Sequence, residues 1–195
     1  MTSSTDGGSL NSGSISSGSI VSVSRDNRHR FSKPIVEQIM LLEGLGIEGD
    51  AHSGATTQHR YLVAKDPTRA NLCQVHLIGI ELYEHLITDG WSILPGQLGE
   101  NVTTRGIELM TLSTGSILHL GADARVEITG KRSPCRQING FQPGLMKAVF
   151  GADESGRRAS RAGIMGIVLS GGIVLSSDEI RVELPAGRFR PLVAV

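Results

Sequence analysis

Ser116-Ile117-Leu118-His119-Leu120-Gly121-Ala122-Asp123-Ala124-Arg125-Val126-Glu127-Ile128-Thr129 carries two runs of alternating character around a Gly-Ala-Asp turn. That pattern predicts a β-hairpin. The reading extends outward in both directions. Ile20-Val21-Ser22-Val23-Ser24 alternates as a strand does, Pro34 introduces a strand over residues 35–41, and Val75-His76-Leu77-Ile78 reads as a short buried strand. Residues 164–169, 172–175 and 179–184 continue the series. A helix is predicted over residues 79–88, with Ile80, Tyr83 and Ile87 at helical spacing and Gly90 closing it. A second is predicted over residues 143–150, where Pro143 suits a first turn and Gly151 a C-terminus. Many short strands and few helices predict a mostly-β, barrel-like domain.

Composition agrees. The 195 residues include 25 glycines and only 4% aromatics, which favours turns and short strands over long helices. Residues 1–19 are mostly Ser, Gly and Thr and are expected to be a disordered tail, leaving residues 20–195 as one domain. Lysine plus arginine (19) balances aspartate plus glutamate (19), so no global field draws the chain to nucleic acid or a membrane surface. An anion site must then arise from local clustering. The longest apolar stretch is broken by Ser170-Gly171-Gly172 and is too short to span a bilayer. Two cysteines make no disulfide framework, and the first 24 residues lack the basic groups of a targeting signal. The expected setting is the cytoplasm.

Three glycine-flanked polar clusters stand out. The first is Gly46-Ile47-Glu48-Gly49-Asp50-Ala51-His52, followed by Gln58-His59-Arg60. Asp50, His52, His59 and Arg60 supply acceptor, donor and charge. The plain alternative is a turn whose aspartate bonds its own backbone, and a zinc site would need a spacing this loop does not match. The second, Pro95-Gly96-Gln97-Leu98-Gly99-Glu100-Asn101-Val102-Thr103-Thr104-Arg105-Gly106, reads as a shaped loop. Glu100, Asn101 and Thr103 offer hydrogen bonds, and Arg105 a planar fork suited to phosphate. An ordinary turn with a solvated arginine is the alternative.

The third cluster is Lys131-Arg132-Ser133-Pro134-Cys135-Arg136-Gln137-Ile138-Asn139-Gly140. A free cysteine is usually packed and inert, a reading that suits Cys73 between Leu72 and Val75. Cys135 differs, because three cationic side chains lie within four residues. Nearby positive charge favours the thiolate, the form that attacks or binds soft metals.

Taken in order, Gly-Ile-Glu-Gly-Asp-Ala-His, His-Arg, Pro-Gly-Gln-Leu-Gly-Glu-Asn-Val-Thr-Thr-Arg-Gly, Arg-Ser-Pro-Cys and Gly-Ile-Met-Gly resemble the MOSC domain, found at the C-terminus of molybdenum-cofactor sulfurases. The chain is similar to stand-alone members of the YiiM type, and the resemblance runs over residues 20–184. It implies a closed β-barrel similar to the small barrel domain of pyruvate kinase, and association with the molybdenum cofactor. In catalytic members a cysteine ligates the metal and N-hydroxylated compounds are reduced to amines; Cys135 matches that cysteine. On this resemblance Cys135 is the metal ligand. Lys131, Arg132, Arg136 and Arg105 hold the phosphate or balance charge. Asp50, His52, Glu100 and Asn101 shape the pocket or deliver protons, with His59, Arg60 and Thr103 beside them. The activity implied is a molybdenum-dependent oxidoreductase. The second reading is a sulfur carrier with a persulfide on Cys135, and the third a zinc- or ligand-binding barrel. No flavin, haem or iron–sulfur segment is recognisable, so a reductase needs an external electron-donor protein. The other partners expected are a small-molecule substrate and a second copy of the chain.

Overall fold

The predicted hairpin forms, with Leu120 opposite Ala124 and Ile117 opposite Glu127 around residues 121–123. In the computed structural model, which describes residues 17–152 and 156–195, the elements follow in this order. First come β1 (Ser17–Ser24), β2 (Ile35–Val36), β3 (Gln38–Leu42), β4 (Gly46–Ile47) and α1 (Arg60–Val63). Then come β5 (Val75–Gly79), α2 (Ile80–Thr88), β6 (Val102–Arg105), β7 (Ile117–Leu120), β8 (Ala124–Lys131), α3 (Gln137–Phe141) and α4 (Leu145–Ala148). The series ends with β9 (Phe150–Ala152), β10 (Arg158–Ser160), β11 (Ile164–Ser170), β12 (Gly172–Leu175) and β13 (Glu179–Glu183).

Seven strands close on themselves in the order β1-β13-β7-β8-β11-β5-β6, and β6 returns to β1. Closure leaves no free edge within the ring. Only the β5–β6 pair in this ring is parallel, and α2 makes the crossover between them. Strand alternation sorts the side chains. Val75 and Leu77 point into the barrel with Ile20, Val102, Leu118, Val126, Ile128 and Ile164. Ile78 points outward into a second cluster, with Tyr83 and Leu86 of α2, Ile138 of α3 and Leu145 of α4. Helices α2, α3 and α4 therefore cover one outer face of the barrel, and the Cys135 loop runs between β8 and α3. Among the described residues no helix is long and apolar enough to cross a membrane.

Several expectations need correction. β1 begins at Ser17, inside the segment expected to be a tail, because Ser17 to Ser19 pair with Arg181 to Glu179. Residues 1–16 lie outside the described residues. The single strand expected over residues 35–41 is two, β2 pairing with β1 and β3 with β12, because the chain changes sheet at Glu37. The helix expected over residues 143–150 is only α4; Gly144 enters it at φ +90°, and Phe150 already pairs with Ser160. Finally, the second polar cluster is a loop only in its first half, since residues 102–105 form β6 in the barrel wall.

Candidate functional site

Asp50 is the hub of the first cluster. The turns around Gly46 and Gly49 carry it to a position only 7% exposed, so its carboxylate needs internal partners. Lys33 Nζ donates to Oδ2 at 2.6 Å, and Asn101 Nδ2 donates to the same oxygen at 3.0 Å. The His52 amide donates to Oδ1 at 2.9 Å, and His52 Nδ1 lies 3.3 Å from it. Burial pushes the Asp50 carboxyl up, but the His52 hydrogen bond and the Lys33 charge outweigh it and hold it well below the usual carboxylate range. His52 stacks on His29 at 5.0 Å. Burial lowers His29, and the nearby His52 and Arg60 charges lower it further.

Cys135 sits half-buried in the loop between β8 and α3, and its thiol donates to Gln137 Oε1 at 3.3 Å. Gln137 lines a cleft of about 700 Å³ with Arg30, Phe31, Lys33, Gln97 and Phe141. That volume is of the size that small-molecule sites take. Its walls join residues far apart in sequence: Lys33 binds Asp50, Asp50 binds Asn101, and Gln137 binds Cys135. The charge of Arg132, in the third cluster, also reaches the first cluster. Burial lowers His59, and then the His52 and Arg132 charges lower it further. Arg132 also adds to the burial that depresses His76.

Among the described residues, Lys131, Arg132 and Arg136 form no ion pair. Among the described residues, Arg132 Nη1 is buried with no hydrogen-bond partner. A guanidinium in that state lacks the acceptor its geometry is built to take. The donor set of this loop therefore fits an anionic group.

Other expected site residues lie elsewhere. Arg105 pairs with Glu84 of α2 at 2.9 Å on the exposed outer face, so its fork is already used away from the cleft. Glu100 is fully buried and accepts from Tyr83 Oη at 2.6 Å, from Thr103 Oγ1 at 2.9 Å and from the Gly96 amide. Glu100 and Thr103 thus hold β6 to α2, and neither lines the cleft. Burial raises the Tyr83 phenol well above its usual range, with Glu100 adding to the shift. Tyr83→Phe removes one of the donors to a buried carboxylate and is expected to cost about 1–3 kcal/mol, read from urea midpoints. His59 and Arg60 start the exposed helix α1. Among the described residues no group of three His, Cys, Asp or Glu is placed to hold a metal, so the zinc arrangement of Asp50, His52 and His59 is not built. Cys73 has its thiol raised by burial, as suits an inert packed cysteine.

Sequence reasoning missed Lys33, His29 and Phe31. Their segment carried a signal, since Arg25, Arg28, His29, Arg30 and Lys33 crowd nine residues of an otherwise neutral chain.

The MOSC domain model matches residues 65–185, more than half of the chain. Among solved structures, the YuaD protein of Bacillus subtilis is 26% identical with a TM-score of 0.69, over 86% of this chain and 96% of that one. YiiM of Escherichia coli is 18% identical (TM-score 0.59, 89% of this chain, 73% of that one). YiiM of Geobacillus stearothermophilus is also 18% identical (TM-score 0.56, 89% and 77%). These two share the fold. No curated protein sequence matches the chain.

Proposed function

The chain belongs to the MOSC domain family, which is associated with molybdenum-cofactor binding, and from that premise we propose that it binds this cofactor beside its cleft and reduces N-hydroxylated substrates there. The observation that carries the reading is the orphaned Arg132 Nη1, three residues from a half-exposed thiol. Cys135 would ligate molybdenum, and Lys131, Arg132 and Arg136 would meet the pterin phosphate. When bound, the group supplies two-electron chemistry at the metal. Reduction of N–OH to N–H takes two electrons and two protons and releases water.

The chain's own residues supply the rest. Phe31 and Phe141, 5.8 Å apart and tilted, form an apolar wall for a flat substrate such as a hydroxylated purine. The Gln97 and Gln137 amides at the same cleft offer donors and acceptors to its polar edge. Asp50 links the Lys33 wall of the cleft to His52 through Nδ1, and His52 Nε2 would be the ring atom that exchanges a proton with a bound group. Electrons come from a separate donor protein, and the setting is the cytoplasm.

Expression in a host that makes the cofactor is expected to give close to one molybdenum per wild-type chain and almost none in Cys135→Ala, read by elemental analysis. Equal metal-free preparations of both would overturn the reading. A persulfide confined to Cys135 by mass spectrometry, without molybdenum, would favour the sulfur carrier instead.

A further inference from the structure

The last six residues of the chain lie beyond the stretch that matches the family model, yet they touch the root of the Cys135 loop. β8 needs a partner there. On its β7 side, ladder pairing ends at Glu127, and residues 115 and 116 carry it only as far as Ile128. Lys131 would then expose a donor and an acceptor on this side, as an open sheet edge does. The terminal segment takes both. The Lys131 amide donates to Val193 O at 2.7 Å, the Val195 amide donates to Lys131 O at 3.3 Å, and Ala194 forms a parallel bridge with Lys131.

Its other end is anchored. The Arg190 amide donates to Ser113 Oγ at 3.0 Å, the Thr114 amide to Arg190 O at 2.8 Å, and Leu192 is 6% exposed in the barrel core. Close approach is possible because residue 130 is glycine: a Cβ there would stand 2.3 Å from Val193 O. On the opposite side, the Arg132 amide donates to Gly163 O at 3.0 Å. The backbone that launches Cys135 is thus gripped from both flanks.

We propose that residues 190–195 are a clasp that positions the Cys135 loop. Released, the backbone at Lys131 and Arg132 opens locally while the seven-strand barrel persists. The proposal concerns the thiol's position and holds whether Cys135 ligates a metal or carries sulfur.

The test compares two thiols within one molecule, using iodoacetamide on cofactor-free protein. In Gly130→Ala, and in the full chain lacking residues 190–195, Cys135 is expected to alkylate about tenfold faster. Cys73 should keep its wild-type rate, and amide exchange at Lys131 and Arg132 should accelerate. If the deletion does not fold, Gly130→Ala and Leu192→Ala decide the matter. Unchanged Cys135 alkylation in a folded variant would overturn the proposal. So would a rise shared equally by Cys73, which reports general loosening.

Discussion

Lys33→Met is expected to cost about 3–5 kcal/mol of folding stability, because it leaves the Asp50 carboxylate buried without its cation. The pair is closed off from water: Lys33 is 7% exposed, Asp50 likewise, and the ammonium sits 2.6 Å from Oδ2. Asn101, Asp26 and His52 still donate to Asp50, but none of those bonds replaces the missing charge. The pH dependence has a defined sign. In the wild type Asp50 titrates below its ordinary range, so its contribution is complete above about pH 4 and is lost as pH falls below that. In Lys33→Met the carboxyl rises, and protonation relieves the unpaired charge. The stability difference between the two proteins should therefore be full at pH 7 and shrink on acidification. Urea unfolding from pH 7 to pH 4 measures it, and coincident midpoints at pH 7 would sink the argument. Lys33→Met combined with Asp50→Leu should recover much of the loss, since the two residues act as one unit.

Gly163→Ala is expected to be comparably severe, at roughly 2–5 kcal/mol, and to disturb the site as well. Gly163 has φ +90°, and an added Cβ would lie 2.1 Å from Leu77 O and 2.7 Å from Ile78 Cγ1. Neither neighbour can yield, because Leu77 pairs with Ile164 where β5 meets β11 and Ile78 is packed beneath α2. Gly163 O also accepts the Arg132 amide, so a shift there moves the start of the Cys135 loop. A lowered thermal midpoint together with altered Cys135 alkylation is the expected pair of readouts. A wild-type thermal midpoint would mean that the β5–β11 junction is softer than its geometry implies.

The barrel strands were legible because local pattern and final environment agree. In β7 and β8 a period of two matches one face turned to the core, and nothing distant alters it. Residues 35–41 failed for the opposite reason. Both halves favour extended backbone, and only the identity of each partner strand reveals the break at Glu37. The α4 region failed because Gly144 and the β9–β10 pairing, which lie outside helical periodicity, override a helix-compatible composition.

By itself the sequence determined a β-rich barrel, the three polar clusters and Cys135 as the reactive candidate. These follow from short-range chemistry: alternation, turn residues, and three cations beside a thiol. Only the tertiary structure decided which partner each polar residue meets. It turned Arg105 toward Glu84, buried Glu100 against Tyr83, and brought Lys33 to Asp50 across 17 residues. It also laid the last residues of the chain against Lys131. A charged side chain's role depends on which partner reaches it once water is excluded, and barrel closure makes that choice.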